Sequence, residues 1–569
     1  MSIRTNPIQA VALLLKRLVT IEKYGYLEDL KSELVNIKDL FSIVKKNEEE
    51  LLDTLTIVDG YLRNFNISKL MEEKEDICKR IRNSTQKLLP IGDPQSKIEV
   101  VESSDKNENM HLPLSLSQAK MLKLRYEQLP LIQKRCLSSL FLFPENAVIK
   151  KMHVIYWWFG MGFLDRTQIQ IAEKQGIEIF NLLEECELIV PNNNAKCPNV
   201  NRFKINHWFD HKLPKYDHAC EIYSQIRTSS NYKDARHDCL VLDQKQVKLN
   251  DQDVGFKSTH WKAIFNIGAS YLNFGPQWMS KMKNLEVLHL GRWQDSASHH
   301  IEVESEEFLK EIRNQKYLKY LSLRGISRIS KIPPFIFQLE SLEFLDLKAC
   351  HNLETIPNDI ASLRNLNHLN VSECYLLESM PKGIEKLTKL KVLKGYVIGS
   401  SGNSPCRISD LENLKKLKRL SIHIRSEAMI QDKEFTSFAN LSKLRCLKIS
   451  WGVSITKFND IQIILPIGLE KLHLEGFPGD RIPTLRRPII TKHLRMYITG
   501  GKLKTLDDIE HEEHFPGRDY VKVLCLKYLK HLQIDLPNLL KLFPSLTYVE
   551  IKQIQNHSYI EWSDVEERD

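Results

Sequence analysis

The sequence predicts a multidomain chain of the α plus α/β class, with an N-terminal helical bundle, a small middle module and a C-terminal solenoid. Three observations support this prediction. Apolar residues recur at helical spacing near the N-terminus, a polar stretch broken by proline and glycine follows, and one phrase repeats every 24 residues through residues 318–393. The predicted segments are a helical bundle (1–90), a linker (91–112), a middle module (113–235), a cap (236–280) and the repeats (281–569).

The repeated phrase is clearest from Leu318 to Leu393. Each copy reads Leu-x-x-Leu-x-Leu, or a close variant, and a return segment with an Ile-Pro or Met-Pro step follows it. Further copies start at Leu342, Leu366 and Leu390. This spelling is the signature of leucine-rich repeats, in which a short strand and a looser return segment must stack on their neighbours to bury their apolar side. Each leucine that enters such a core contributes about 1.5–3 kcal/mol.

The array extends beyond this stretch, and about eleven copies can be recognised. The ninth position of a repeat needs a small polar group that satisfies buried backbone, and Cys350 and Cys374 occupy it as structural residues. Insertions are expected after Leu290, after Leu393 and at 507–519. The other copies start at Leu285, Leu417, Leu444, Leu469, Met496, Leu529 and Leu546.

A binding face is predicted on the repeats. Side chains alternate along a strand, so the third and fifth positions of each repeat should line the concave, solvent-facing side. Aromatic and arginine side chains anchor protein interfaces, so we expect a partner with an apolar patch for the first half and an acidic patch for the basic second half. An ordinary solvated face is the alternative. The predicted partner-binding residues are Tyr320, Phe344, Asp346, His368, Asn370, Lys394, Arg419, Lys448, Lys471 and His473.

The composition excludes several classes of protein. In 569 residues, 81 basic and 72 acidic side chains give a net charge of +9, a mild bias that argues for no particular partner. The cysteines form no Cys-x-x-Cys pair, so neither a zinc ribbon nor a disulfide framework is predicted. The apolar run Ala10–Leu15 is too short for a signal peptide, and no run reaches the length of a transmembrane helix. We therefore expect a cytoplasmic protein.

Four amphipathic helices are predicted at the N-terminus. Apolar side chains recur at steps of three and four from Leu27 to Val44, and again over Glu48–Leu62 and Lys69–Leu88. The heptads are short, which favours a coiled-coil-type four-helix bundle over a long coiled coil. For the first helix, around Ala10–Val19, an element that lies on a membrane surface is the alternative.

The middle module carries a specific order of motifs, and it ends in a tryptophan-containing stretch. The motifs are Leu129-Pro130, Lys134-Arg135-Cys136, Leu142-Phe143-Pro144-Glu145 and Gly162-Phe163. This order closely resembles the winged-helix part of the nucleotide-binding region in plant intracellular NLR disease-resistance proteins. The resemblance implies a winged-helix module in which Trp157 and Trp158 are core residues.

The resemblance extends along most of the chain. Leu27–Leu34 resembles the second helix of the family's coiled-coil domain, Leu52–Asp59 keeps the Val-Asp end of its acidic motif, and Leu542–Leu546 resembles its repeats. The repeats look closest to the branch whose members partner with receptor-like pseudokinases. The resemblance implies protein partners: a receptor-like kinase or pseudokinase, the target of a pathogen effector, or a full-length NLR. It implies no nucleic acid, and a place in the cytoplasm or at the periphery of the plasma membrane.

The family's nucleotide site is predicted to be absent. Its chemistry needs a G-x-x-x-x-G-K-[ST] loop whose backbone amides cradle phosphate, and the sequence contains no such run. The residues between the bundle and the middle module are also too few for that domain. The histidine that reads the ADP phosphate in the family corresponds to Asn206, and His207 is displaced by one position. We therefore expect no cofactor and no nucleotide switch.

No catalytic or metal site is predicted, and the chain is not expected to be an enzyme. The pairs His299-His300 and His511/His514 lie in loops, and solvated loops are favoured over metal ligation there. Two functions stay open. One is an NLR-like defence protein that acts through its repeats as an adaptor, decoy or regulator of full-length relatives. The other is a nucleic-acid-binding regulator, although residues 113–235 lack a concentrated basic recognition helix.

Overall fold

A computed structural model shows the fold of the chain. Its contacts divide the chain into two compact units. The solenoid unit comprises Met1–Leu88, Ser296–Arg313 and Ser322–Asp569, and the module unit comprises Leu89–Asp295 and Asn314–Leu321. The structure describes residues 11, 14, 15, 30, 31, 33, 34, 54, 55, 57, 58, 61, 67–88, 116–144, 147–165, 169–192, 202–206, 239–242, 244–249, 261–275, 278–279, 282–294, 300–399, 407–425, 428, 430, 434–452, 462–486, 493–506, 520–533, 536–552 and 560–562.

The N-terminal part of the solenoid unit is helical where it is described. Helices α1 (Ile67–Glu72) and α2 (Lys74–Leu88) occupy the place predicted for the fourth helix. The Arg82 guanidinium of α2 donates to Glu33 at 2.6 Å. The side chains at the predicted apolar positions are buried, among them Val11, Leu14, Leu30, Leu34, Leu55, Val58, Ile77 and Ile81. The predicted linker, 91–112, lies outside the described residues.

Parallel strands of the repeats dominate the solenoid unit. From β11 to β21 they pair in chain order, with β16 and β18 set apart as a separate parallel pair, and the final strand β22 pairs antiparallel with β21. The strands in this unit are β9 (Glu302–Val303), the end of β10 (Tyr320–Ser322), β11 (Phe344–Asp346), β12 (His368–Asn370), β13 (Val392–Ile398), β14 (Arg419–Ile424), β15 (Cys446–Trp451), β16 (Gln462–Ile464), β17 (Lys471–Phe477), β18 (Thr484–Arg486), β19 (Leu494–Gly501), β20 (Val521–Lys527), β21 (Tyr548–Lys552) and β22 (Ile560–Trp562).

The pairing follows the 24-residue step that the sequence predicts. Phe344 lies opposite His368, and His368 lies opposite Val392, so equal positions of successive repeats form columns across the sheet. The repeat leucines on the other face of the strands expose 2% or less of their surface, as expected for core positions. The structure confirms the structural role predicted for Cys350 and Cys374. Each Sγ donates to a backbone carbonyl of the preceding repeat: Cys350 to Leu323 O at 3.2 Å and Cys374 to Leu347 O at 3.1 Å.

The return segments contain short 3-10 helices, and three of them begin after a proline. Pro333, Pro357 and Pro381 precede these three helices in extended conformation, which fits the fixed φ of proline at a helix start. The isoleucine three residues further on is buried in each case. The 3-10 helices are Glu306–Phe308, Pro334–Gln338, Asn358–Ser362, Lys382–Lys386, Ser409–Asn413 and Glu434–Asn440, and the α-helices are α7 (Leu309–Ile312) and α8 (Leu536–Leu542).

The turn after each early strand needs a left-handed residue. The eighth position of three successive repeats has positive φ, at Gly325 (74°), Ala349 (60°) and Glu373 (63°). Only glycine adopts this conformation without a steric cost, and other L-residues lose about 1–2 kcal/mol there. The repeat geometry therefore imposes the same turn on residues that do not favour it.

The module unit contains four helices and a small antiparallel sheet. The helices are α3 (Leu116–Glu127), α4 (Leu131–Leu140), α5 (Lys151–Met161) and α6 (Ile169–Glu185). The strands β1 (Ile149–Lys150), β2 (Ile189–Pro191) and β3 (Arg202–Ile205) form a sheet with β3 in the centre. These are the kinds of element that a winged-helix module contains, and the assignment itself stays a prediction.

The core of this module is aromatic, as the resemblance implied. The Trp158 indole is fully buried and donates from Nε1 to Ser139 Oγ at 2.8 Å. It stacks on Phe180 with ring centroids 4.8 Å apart, and Phe180 contacts Phe203 of the small sheet at 4.7 Å. Helix α5, helix α6 and the sheet are thereby joined through one aromatic cluster.

The repeat pattern begins earlier in the chain than the sequence predicted. Strands β4 (Cys239–Leu242), β6 (Ala263–Asn266) and β8 (Val287–His289) pair in parallel at 24-residue steps, and β5 (Gln246–Leu249) pairs with β7 (Tyr271–Phe274). Residues predicted as a cap thus carry repeat strands. The leucine pattern misses them because Trp261 and Asn266 replace ladder leucines. The buried Asn266 amide donates to Ala269 O and Leu290 O, both at 2.9 Å.

Helix α5 packs directly on these first repeat strands within the module unit. The Trp157 ring lies 4.3 Å from the Phe265 ring, and Phe143 lies 5.2 Å from Trp293. At Gly160 the helix backbone comes so close that an added Cβ would lie 2.5 Å from Val287 Cγ2. Glycine is required at this position because any side chain would collide with the strand. Among the described helices, none is long and apolar enough to cross a membrane.

We predict that Glu373→Gly raises the free energy of unfolding relative to Glu373→Ala by about 1 kcal/mol. Both changes remove the ion pair with Lys348, at 2.9 Å, but only glycine relieves the left-handed strain. Urea denaturation measures the difference. Equal stabilities of the two variants would show that the turn is not strained.

We predict that Gly160→Ala lowers the free energy of unfolding by about 1–3 kcal/mol, because the new methyl group overpacks against Val287. Val287→Ala alone should also lower the free energy of unfolding, but it should lower it less when Gly160→Ala is already present, because the smaller side chain makes room for the new methyl group. A double-mutant cycle of urea denaturation tests this coupling. Additive effects would mean that the helix and the strand are not in the described contact.

Candidate protein-binding surface on the later repeats

Five of the predicted partner-binding residues are buried, so the prediction that they face solvent is wrong. The exposed fraction of their surface is 4% or less. They belong to the early repeats, and their strands are those on which the leucine pattern is most regular. These residues are Tyr320, Phe344, Asp346, His368 and Asn370.

Tyr320 is buried because helix α5 lies over it. A Cβ at Gly160 would be 3.6 Å from Tyr320 Cβ, and the Tyr320 hydroxyl lies 3.4 Å from His289 Nδ1. The rings of Tyr320 and His289 are nearly parallel, with centroids 6.0 Å apart. This aromatic position is therefore used for packing inside the module unit.

The other four buried residues have structural contacts of their own. Asp346 Oδ1 accepts from the Lys348 amide at 3.0 Å and Asn370 Oδ1 accepts from the Ser372 amide at 3.2 Å, so both side chains hold the turn that follows their strand. Phe344 and His368 stack with centroids 4.2 Å apart. Burial, helped by the nearby cations Lys394 and Arg419, lowers the pKa of His368 well below 6.5, so it is a neutral core residue.

The predicted residues of the later repeats are accessible. Lys394, Arg419, Lys448 and His473 are half-buried, and Lys471 is exposed. The strand registers bring them together: Arg419 lies opposite Cys446, which lies opposite Lys471, and Lys448 lies opposite His473. Their role in binding a partner stays a prediction, but the structure brings all five to one face of the sheet.

This face is wider than the sequence indicated. Strands β13, β14, β15, β17, β19 and β20 are six to eight residues long, so a third outward column, which contains His423, joins the third and fifth positions of these repeats. We call this face the basic strip. The strand registers also place Val392, Val397 and Cys525 in these columns, but the three side chains are buried. The accessible members on β13–β21 are Lys394, Arg419, Ser421, His423, Cys446, Lys448, Ser450, Lys471, His473, Glu475, Arg495, Tyr497, Thr499, Val523, Lys527, Tyr548, Glu550 and Lys552.

Ion pairs and a cation–π contact orient the charges of the strip. Lys448 Nζ lies 2.5 Å from Glu475, and Glu550 accepts from both Lys527 and Lys552 at 2.8 Å. These lysines lower the pKa of Glu550, although burial opposes them, so it is ionised at neutral pH. The Lys471 ammonium lies 4.2 Å from the centre of the Tyr497 ring.

Two histidines lie in the strip as neutral groups. His423 Nδ1 is 3.1 Å from Ser450 Oγ, and His473 Nε2 is 3.3 Å from Thr499 Oγ1. Burial, together with neighbouring cations (chiefly Arg425 for His423 and Lys448 for His473), lowers the pKa of both to about 4. At neutral pH both rings hydrogen-bond without adding positive charge.

The sequence contained a signal for the wider strip that position counting overlooked. The apolar alternation of β14 and β15 continues two residues further, to Ile424 and Trp451, both buried. This continuation indicates longer strands, and therefore the outward positions His423 and Ser450. Arg495 and Tyr497 were missed because their repeat has methionine in place of the second leucine.

The remaining predicted site residues fall elsewhere. Asn206 is half-buried after the end of β3, where its Nδ2 donates to Glu187 O at 2.8 Å, so it joins the end of β3 to the turn that precedes β2. His300 is half-buried, and its ring contacts His351 at 5.3 Å. His207, His299, His511 and His514 lie outside the described residues.

We predict that the free energy of unfolding falls as the pH drops from 6.5 to about 4, in part through His423. In this window the unfolded chain binds the proton that the folded chain, with its lowered pKa, does not. His423→Gln should flatten the decrease, whereas His531→Gln, at an exposed position, should leave it unchanged. Urea denaturation across the window measures both slopes, and an unaltered slope for His423→Gln would contradict the burial of this ring.

Comparisons with known proteins agree with this architecture. A family model for a leucine-rich repeat region matches residues 265–555, more than half of the chain. Disease resistance RPP13-like protein 4 of Arabidopsis thaliana is 28% identical over 445 residues, which are 75% of this chain and 49% of that protein. A probable disease resistance protein of the same plant is 38% identical over 74 residues, 13% of this chain and 8% of that one. The chain thus spans about half the length of the first relative.

Among solved structures, an internalin of Listeria monocytogenes is 16% identical. The match covers 55% of this chain and 81% of the internalin, with a TM-score of 0.34. The family match and the plant relatives confirm the resemblance expected from the motifs. The chain therefore belongs to the leucine-rich-repeat proteins, as an NLR-like member similar to plant disease-resistance proteins.

Proposed function

We propose that the protein acts in plant immunity by binding a protein partner on the basic strip of its later repeats. One observation carries the proposal: the outward side chains of the early repeats are buried, whereas Lys394 of β13 and most outward side chains from β14 onward are accessible and mostly polar or charged. Mixed charged and aromatic surfaces of this kind suit protein recognition. The similarity to disease-resistance proteins supports the biological setting.

In this proposal the chain works without a nucleotide switch and without catalysis. The sequence has no phosphate-binding loop between its helical N-terminus and its middle module. Asn206, which replaces the family's phosphate-reading histidine, donates a hydrogen bond to Glu187 O in the turn before β2. The protein would then serve as an adaptor, a decoy or a regulator of full-length relatives. The cytoplasm, or the inner surface of the plasma membrane, is the expected location.

The helix-to-strand contact in the module unit supports different roles for the early and the later repeats: packing for the early repeats and partner binding for the later ones. Helix α5 uses the first strands for packing, through Gly160 against Val287 and Trp157 against Phe265. The early repeats therefore contribute stability, and recognition is left to the later ones. A receptor-like kinase or pseudokinase, an effector target or a full-length NLR is the class of partner that we expect.

Affinity purification from plant tissue, followed by mass spectrometry, tests the proposal. The variant Arg419→Ala with Lys471→Ala removes two cations of the strip, and we expect it to recover its specific partners at least tenfold less well than the unchanged chain. Lys415→Ala with Lys443→Ala is the matched control, because both lysines are exposed outside the strip. Equal recovery by both variants and the unchanged chain would reject the strip as the binding surface.

A further inference from the structure

The charge of the basic strip is strongly one-sided. Its cationic side chains far outnumber its carboxylates, and the two histidines that lie in it are neutral at pH 7 because of their lowered pKa. The described cations are Lys394, Arg419, Lys448, Lys471, Arg495, Lys527 and Lys552, and the carboxylates are Glu475 and Glu550. An occupant must therefore be acidic to match the strip.

The strip offers no exposed apolar anchor among its described residues. The exposed large hydrophobic side chains in the later repeats, Ile467, Tyr528 and Leu540, lie outside the three columns. The aromatic rings within the strip, Tyr497 and Tyr548, are half-buried, and the Lys471 ammonium lies over Tyr497. A globular partner with an apolar hot spot would meet no exposed large hydrophobic side chain among the described residues of the strip, so electrostatic attraction must supply most of the recognition.

The dimensions of the strip suit an extended chain. Seven adjacent strands from β13 to β21 are separated by six steps of about 4.8 Å, which gives a length of about 29 Å. An extended segment rises about 3.3 Å per residue, so about nine residues would cross the whole strip. The strip is only three outward side chains wide on each strand, which matches the width of a single chain.

The strip is also partly ordered before anything binds. Lys448 is held by Glu475 at 2.5 Å, and Lys527 and Lys552 are held by Glu550 at 2.8 Å. Fixing long side chains in advance reduces the entropy that a ligand must overcome. Each lysine ammonium has three hydrogen-bond donors, so one ion pair with a carboxylate does not use all of its donor capacity.

From these observations we infer that the basic strip binds an extended acidic segment, rich in Asp and Glu, of a protein partner that lies across strands β13–β21. This inference rests on the proposed function and specifies the chemistry of the partner. A nucleic acid fits less well, because it carries a phosphate at every step and could not avoid Glu475 and Glu550. A peptide can place neutral residues opposite these two carboxylates.

Fluorescence anisotropy of the full chain with a labelled Asp/Glu-rich peptide of about twelve residues tests the inference. The probe is compared with the same peptide in which Asn and Gln replace Asp and Glu. We expect the acidic peptide to bind, the neutral peptide to bind at least tenfold more weakly, and the affinity of the acidic peptide to fall as salt is raised. Equal binding of both peptides would overturn the inference.

The variant R419E/K471E/R495E reverses three charges of the strip and should weaken binding of the acidic peptide at least tenfold. The variant K382E/K415E/K443E makes the same change in net charge at exposed positions outside the strip, and it should stay within about threefold of the unchanged chain. Equal losses in both variants would mean that only net charge attracts the peptide, and would overturn the inference. If the triple reversal does not fold by circular dichroism, the exposed Lys471→Gln alone should still weaken binding about threefold.

Single-stranded DNA with the same number of charges serves as a competitor. Displacement of the peptide by DNA at a lower concentration than by unlabelled peptide would replace the inference with nucleic-acid binding. If the acidic peptide does not bind, yet partner recovery from plant tissue still depends on Arg419 and Lys471, the inference fails and the proposed function stands. If the variant with Arg419→Ala and Lys471→Ala recovers partners as well as the unchanged chain does, the proposed function itself is rejected.

Discussion

The 24-residue step of the parallel ladder is the constraint on which the rest of the structure depends. It places Phe344 opposite His368 and His368 opposite Val392, and it repeats the same left-handed turn at Gly325, Ala349 and Glu373. A repeat cannot bury its apolar side alone, so each strand must stay in register with its neighbours. Because of this register, equal positions of successive repeats form columns across the sheet. A binding surface is therefore built from a column of residues, each contributed by a different repeat.

Packing between elements divides these columns into a closed part and an open part. In the module unit, the absence of a side chain at Gly160 lets helix α5 approach Val287 and Tyr320 closely. In the solenoid unit, Asp346 and Asn370 are used to hold turns, and Phe344 stacks on His368. The early repeats thus use residues with binding chemistry for stability, and longer strands in the later repeats carry the accessible polar groups.

The strip on the later repeats combines fixed charge with neutral hydrogen-bonding groups. Burial keeps His423 and His473 unprotonated at neutral pH, while Lys448 and Lys527 are oriented by Glu475 and Glu550. Such a surface attracts acidic partners over a distance set by screening, and its pre-oriented side chains favour a defined bound geometry. The recognition function proposed for this surface rests on these charges and on the similarity of the chain to plant disease-resistance proteins.

Local sequence alone determined the repeat step, the ladder leucines, the roles of Cys350 and Cys374, the aromatic core around Trp158 and the basic character of the later repeats, because each depends on spacing within a few neighbouring residues. Local sequence gave the wrong exposure for Tyr320, Phe344 and His368. Their positions in the strand alternation are those of outward-facing residues, but contacts with other elements or with neighbouring strands bury them. Local sequence also missed the repeat at Ala263, where other residues replace leucine, and the outward residues Arg495 and Tyr497 of the copy at Met496. Only the tertiary structure decided which outward columns are covered, because burial depends on what packs over a strand, and the strand's own sequence does not encode that.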